Sequence, residues 1–101
     1  MLDTQLLADV TRQVFAGQKT VTTPSGTVRV TTTFKQGLRK VEFSAGDERL
    51  VGIEQNPHTA SRWARLARAG HQVMQFRDAR TSAYVAVVVD GKVTLYHRRE
   101  M

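Results

Sequence analysis

Arg62, Arg65 and Arg68 follow one another at a spacing of three, and no acidic residue lies between Gln55 and Arg77. On a helix this spacing makes a slowly drifting row of guanidinium groups. A row of one sign forgoes the about 0.2–0.5 kcal/mol that each mixed pair adds, and its planar donors suit the oxygens of phosphate. The plainer account is a solvated face whose arginine stems cover apolar surface. Arg77, Arg29 and Lys40 are the further cations expected to assist the row. A net charge of +6 favours polyanionic partners, because neutralising phosphates releases condensed counterions without base-specific contact. Of the 15 basic residues 11 are arginine, a bias that composition alone can produce.

Catalysis needs titratable groups that converge, and few are offered. His58, His71 and His97 stand in three unrelated contexts, with no i, i+4 pair to hold a metal. The absence of cysteine removes thiol nucleophiles, thiolate metal sites and disulfides together. Asp47, Asp78 and Asp90 fall in turns, where Asp serves local hydrogen bonding. Neither Ser25-Gly26 nor Ser44-Ala45-Gly46 has the flanking residues of a nucleophile elbow or phosphate loop. No enzyme, metal or cofactor is expected.

Aromatic rings bear on single strands, whose bases stack on exposed rings. Phe34 and Phe43 are expected inward and Trp63 belongs to a packing stripe, which leaves Tyr84, Tyr96 and Phe76 as platforms. Backbone contact through Arg and Lys is therefore the expected main mechanism.

These residues need elements to position them. The 101 residues suit one domain with a real core, and 41% hydrophobic with 24% charged residues is ordinary for a globular chain. No apolar run reaches the roughly 18 residues of a membrane span, and the N-terminal residues lack signal-peptide order, so a cytoplasmic protein without membrane contact is expected.

Residues 2–16 read as an amphipathic helix, with Leu6, Leu7, Val10 and Val14 on one stripe, Asp3 or Thr4 as cap, and Gly17 at its end. Residues 19–54 switch to period two, with turns at Pro24-Ser25-Gly26, Gln36-Gly37 and Gly46-Asp47, which predicts a four-strand antiparallel meander. A two-residue Gln36-Gly37 turn sets Thr32 opposite Val41. A three-residue loop at Gly46 to Glu48 is expected next, because it sets Val51 against Phe43 and Ile53 against Val41. The inner face is then Val28, Val30, Phe34, Val41, Phe43, Val51 and Ile53. The outer face carries Thr20, Thr22, Arg29, Thr31, Thr33, Lys35, Lys40, Glu42 and Ser44. Threonine is at home on a solvent-facing strand. The same hydroxyls interleaved with Arg29, Lys35 and Lys40 also make a platform for phosphate and sugar.

Residues 57–69 read as the arginine-bearing helix, capped by Asn56 or Thr59, packed through Ala60, Trp63, Ala64 and Ala67, and closed by Gly70. Three strands follow within residues 71–98, the middle one, YVAVVV, apolar on both faces. Asp90-Gly91 predicts a hairpin pairing Val88 with Val93 and Ala86 with Leu95. The whole is an α+β domain: a curved antiparallel sheet or partial barrel in the order α-β4-α-β3, with the basic Trp-bearing helix packed on it.

The leading expectation is a small non-catalytic binding protein associated with DNA or RNA through phosphates, with low sequence selectivity. The alternative is a protein-interaction module or homodimer that docks through a strand edge or the N-terminal helix. A small molecule inside a closed barrel is a third reading.

Overall fold

The computed structural model describes residues 3–24 and 26–96. Leu2, the Ser25 turn residue, and the basic tail at His97, Arg98 and Arg99, with the end of the last predicted strand, lie outside the described residues.

Helix α1 is Thr4–Phe15, capped by Asp3, whose carboxylate accepts the Leu6 N–H at 3.2 Å. Strands β1 (Thr20–Thr23) and β2 (Gly26–Arg29) form a two-stranded ribbon. Strands β3 (Thr31–Lys35), β4 (Leu38–Ala45), β5 (Glu48–Glu54), β6 (Val73–Asp78), β7 (Tyr84–Val89) and β8 (Lys92–Leu95) form a six-stranded sheet in that order, antiparallel throughout. Helix α2, Arg62–Arg68, is inserted between β5 and β6.

The α+β class therefore holds, but five strands precede α2 rather than four, and the sheet is not closed into a barrel. The predicted long second strand breaks at Val30. That residue buries its side chain in the core and gives its N–H to the Lys19 carbonyl, so the chain before it pairs with β1 and the chain after it with β4. With the ribbon set apart, β3 and β8 are the edges and the described strands enclose no interior for a ligand.

One face of the sheet is closed by α1. Leu6, Leu7, Val10 and Val14 are buried there with Val41, Phe43, Leu50, Met74, Phe76, Ala86 and Val88, and the Phe43 and Phe76 rings meet edge to face at 6.0 Å. The Gln36-Gly37 turn sets Thr32 opposite Val41, and Asp90-Gly91 sets Val88 opposite Val93 and Ala86 opposite Leu95, all as expected. The β4–β5 connection differs. It is the two-residue Gly46-Asp47 turn, which places Phe43 opposite Leu50 and Val41 opposite Gly52. Gly46 holds φ at +63°, the first-position conformation of a type II′ hairpin. Leu50 and Gly52, not Val51 and Ile53, thus face α1. Gly52 has no room for a side chain: a Cβ there would lie 2.7 Å from the Phe76 ring and 2.9 Å from both Met74 and Val41. Phe34 keeps the inward parity but is 67% exposed, because edge strand β3 carries it past the core; Arg39 lies over it and over Phe15.

Helix α2 is shorter than the predicted 57–69. Asn56 accepts the His58 N–H at 2.8 Å, holding residues 56–59 in a turn, and Ser61 caps the helix by accepting the Ala64 N–H at 3.1 Å. At the other end the His71 N–H reaches back to the Leu66 carbonyl across Gly70, as expected of that glycine. Ala60 lies outside the helix and is exposed, while Ala64 is fully buried and α2 packs beside β6.

Candidate functional site

Strand alternation sends every second residue to the face opposite α1. On β3 and β4 these are Thr31, Thr33, Lys35, Leu38, Lys40, Glu42 and Ser44, which matches the outer face expected for this hairpin. The β5 register adds Val51 and Ile53, and β6 adds Gln75 and Arg77. Thr33, Lys40, Ile53, Gln75 and Val87 line up across five strands.

Tyr84 joins this face through an irregularity. Unbroken alternation along β7 would send it to the α1 side with Ala86 and Val88. The register instead shifts between Phe76 and Arg77, so that Tyr84 stands opposite Arg77 while Val85 packs toward the core. A bulge of this kind re-aims a side chain. Tyr84 ends 53% exposed, its ring 6.4 Å from that of Tyr96.

Two adjoining depressions result. The first, of ≈ 260 Å³, is lined by Lys35, Gln36, Leu38, Arg39, Lys40, Ile53 and Arg77. Its lining has four basic residues and no acid, but the Arg39 guanidinium lies toward the α1 side, over Phe15. Arg39 is committed to Glu54 at 3.1 Å, whereas Lys35, Lys40 and Arg77 make no ion pair among the described residues. The second, of ≈ 170 Å³, is lined by Leu38, Ile53, Glu54, Gln55, Asn56, Gln75 and Tyr84. Leu38 and Ile53 belong to both and form the shared floor.

A relay of hydrogen bonds stiffens the far side. The Tyr96 hydroxyl donates to Gln75 Oε1 at 3.0 Å, Gln75 Nε2 to Gln55 Oε1 at 2.6 Å, and Gln55 Nε2 to the Asn56 carbonyl at 3.0 Å. Each glutamine amide is both donor and acceptor, so the chain polarises along its length. Burial pushes the Tyr96 hydroxyl above its ordinary value, opposed by a hydrogen bond from Trp63 and the nearby charge of Arg62. Trp63 is thus the contact that ties α2 to the end of β8.

The structure divides the arginine row of α2. Arg68 turns back to bond the carbonyls of Pro57 and Thr59 and braces the loop before the helix. Arg62 lies over the Trp63 ring at 4.3 Å, and Arg65 is exposed. Arg77 and Lys40 come together in the first depression. Arg29 does not join them; it is exposed on the β1–β2 ribbon opposite Thr20. Lys35 was expected only as part of the outer-face platform with Arg29 and Lys40, and Gln55 and Gln75 were not expected at the site. For Lys35 the signal was its outward parity from the Gln36-Gly37 turn; the glutamines gave none. Phe76, expected as a possible platform, is fully buried.

His71, Asp90 and Asp78 have structural partners. His71 Nδ1 lies 2.5 Å from Asp90 Oδ2, and the Gln72 N–H donates to the same carboxylate at 2.8 Å, which ties the segment after α2 to the last hairpin. These bonds hold Asp90 below the ordinary carboxylate value, the His71 bond first. Asp78 is lowered by the N–H groups of Thr81 and Arg80 in its turn. Among the described residues no group of three His, Asp or Glu side chains is placed to hold a metal, and no helix is long and apolar enough to cross a membrane. Comparisons with protein-family models, curated proteins and solved structures find no match to this chain.

Proposed function

We propose that this protein is a small, non-catalytic, basic binding protein that associates with nucleic acid through phosphate contacts of low sequence selectivity. The observation that carries the reading is the depression in which Lys35, Lys40 and Arg77 converge without an acid in its lining. Three unpaired cations on rigid strands repel one another, and an anion relieves that repulsion while releasing its own counterions. Glu42 is an acid on the same face, in the row of Arg77 with Val51 between them, and it makes no ion pair among the described residues. Arg62 and Arg65 extend the positive surface along α2.

The test is a fluorescence-anisotropy titration of labelled DNA and RNA at low and near-physiological salt. Binding that weakens with salt is expected, and changing Lys35, Lys40 and Arg77 to Ala together should abolish most of it. Each lost phosphate contact lowers the log–log salt slope by about 0.7 on a single strand. Unchanged affinity and slope in that triple variant would remove the proposal.

A protein partner remains the second reading, supported by the free edge of β3 and the exposed Phe34 beside it. The N-terminal helix no longer motivates docking, since its apolar stripe is buried on its own sheet. Light scattering of wild type and Phe34→Ala tests it: a concentration-dependent dimer lost in the variant is the expected result, and a monomer at every concentration counts against self-association.

A further inference from the structure

We infer that the open face holds one nucleotide unit of a single strand, with its phosphate in the Lys35–Lys40–Arg77 depression and its base against Tyr84. The inference rests on the phosphate reading above and adds to it the part of the ligand that phosphate contacts do not see.

The argument starts from the neighbouring depression. At ≈ 170 Å³ it falls below the about 300–1,000 Å³ of sites for drug-sized ligands, so it suits one small planar group. Its floor is apolar, from Leu38 and Ile53; one wall is the Tyr84 ring; its rim is polar, from the amides of Gln55, Asn56 and Gln75 and from Glu54, whose carboxylate is paired with Arg39. An apolar floor, an aromatic wall and a hydrogen-bonding rim describe the environment of a nucleobase, whose faces are π surfaces and whose edge is polar. The cationic depression shares that floor. Lys40 on β4 and Tyr84 on β7 are three strand spacings apart, each about 4.8 Å, within reach of two long side chains and one nucleotide between them.

Two further observations point to a ligand rather than a leftover surface. Tyr84 is exposed only because the bulge at Val85 turns it away from the core face that alternation assigns it. Behind it, the Tyr96–Gln75–Gln55 relay leaves little slack in the amides that form the rim. A duplex keeps its base faces stacked inside and offers nothing for Tyr84, so the site selects an unpaired strand. Selectivity among bases stays low, because every base has a face to stack.

The experiment uses the full chain, three labelled probes of about 12 nucleotides (oligothymidine, an abasic strand of equal length, and a duplex) and thymidine monophosphate as an unlabelled competitor. Wild type should bind oligothymidine about 10-fold more tightly than the abasic strand, within the range of one stacked base. Tyr84→Ala should remove that preference and leave abasic binding and its salt slope unchanged, while Tyr84→Phe should keep it. Circular dichroism of both variants checks that the fold survives.

Equal binding of oligothymidine and the abasic strand by wild type overturns the base site and leaves the phosphate reading standing. Binding of the duplex as tightly as oligothymidine does the same. No binding to any probe at low salt removes both. Thymidine monophosphate binding as tightly as oligothymidine overturns the strand and makes the ligand a free nucleotide.

Discussion

The two faces of the six-stranded sheet are built from the same strands and do opposite things. Toward α1, Val41, Leu50, Met74, Phe76, Ala86 and Val88 are packed until Gly52 has no space for a methyl group. Toward the other side, the residues between them are Lys40, Ile53, Gln75 and Arg77, joined by Tyr84 across a bulge. Phe76 and Arg77 are adjacent in the chain, yet one is fully buried and the other lines the basic depression. Period-two geometry lets one strand carry the stability of the fold on one parity and a charged surface on the other. Mutations on the two parities should therefore separate cleanly.

The sharpest way to break this comparison is at that adjacent pair. Phe76→Ala empties the centre of the core and should cost about 3–5 kcal/mol in denaturant unfolding. Arg77→Ala should stay within about 0.5 kcal/mol of wild type and lose affinity for nucleic acid instead. Equal stability losses in the two would mean that the faces are not independent. Gly52→Ala comes next: forcing a Cβ against Phe76, Met74 and Val41 should cost about 1–3 kcal/mol, and a neutral result would show the closed face to be looser than its distances imply.

Smaller effects sharpen the account of α2. Ser61→Ala removes the cap and should cost about 1 kcal/mol, whereas Thr59→Ala, outside the helix, should cost less; the reverse order would restore the longer helix. Arg68→Ala should lower stability by about 0.5–1.5 kcal/mol through the lost carbonyl bonds, with little change in binding, while Arg65→Ala should do the opposite. The smallest effect is at Asp90. Its carboxyl is held below the ordinary 3.8, so its bonds stabilise the fold above that value and the contribution is lost as pH falls through the lowered one. The Tm of wild type should slightly exceed that of Asp90→Asn at neutral pH, and the gap should close in acid. A gap that persists at the lowest pH would mean that Asp90 acts through shape rather than charge.

Much of this fold is legible locally. Asp90-Gly91 supplies two central residues with positive φ, a hairpin that needs nothing distant, and its register emerges as expected. The stripe of Leu6, Leu7, Val10 and Val14 needs only a helical period and a capping Asp3. Where two local solutions compete, the chain alone misleads. The Gly46 turn admits two loop lengths, and counting apolar residues favours Val51 and Ile53, because no local pattern shows that Gly52 is needed for close approach beneath Phe76. The helix entry likewise suggests Asn56 or Thr59 as cap, whereas the bonds around Gln55 and Asn56 hold both outside the helix and the cap falls to Ser61.

The candidate site divides the same way. Sequence by itself determined the charge surplus, the outward parity of Lys35 and Lys40, and the apolar strand that begins at Tyr84. Only the tertiary structure set Arg77 beside Lys40, divided the arginines of α2 between bracing, stacking and exposure, and turned Tyr84 to the charged face. Parity propagates along a strand from its nearest turn and can be read there. Which strands become neighbours, and where a bulge resets the parity, depends on packing between residues far apart in the chain.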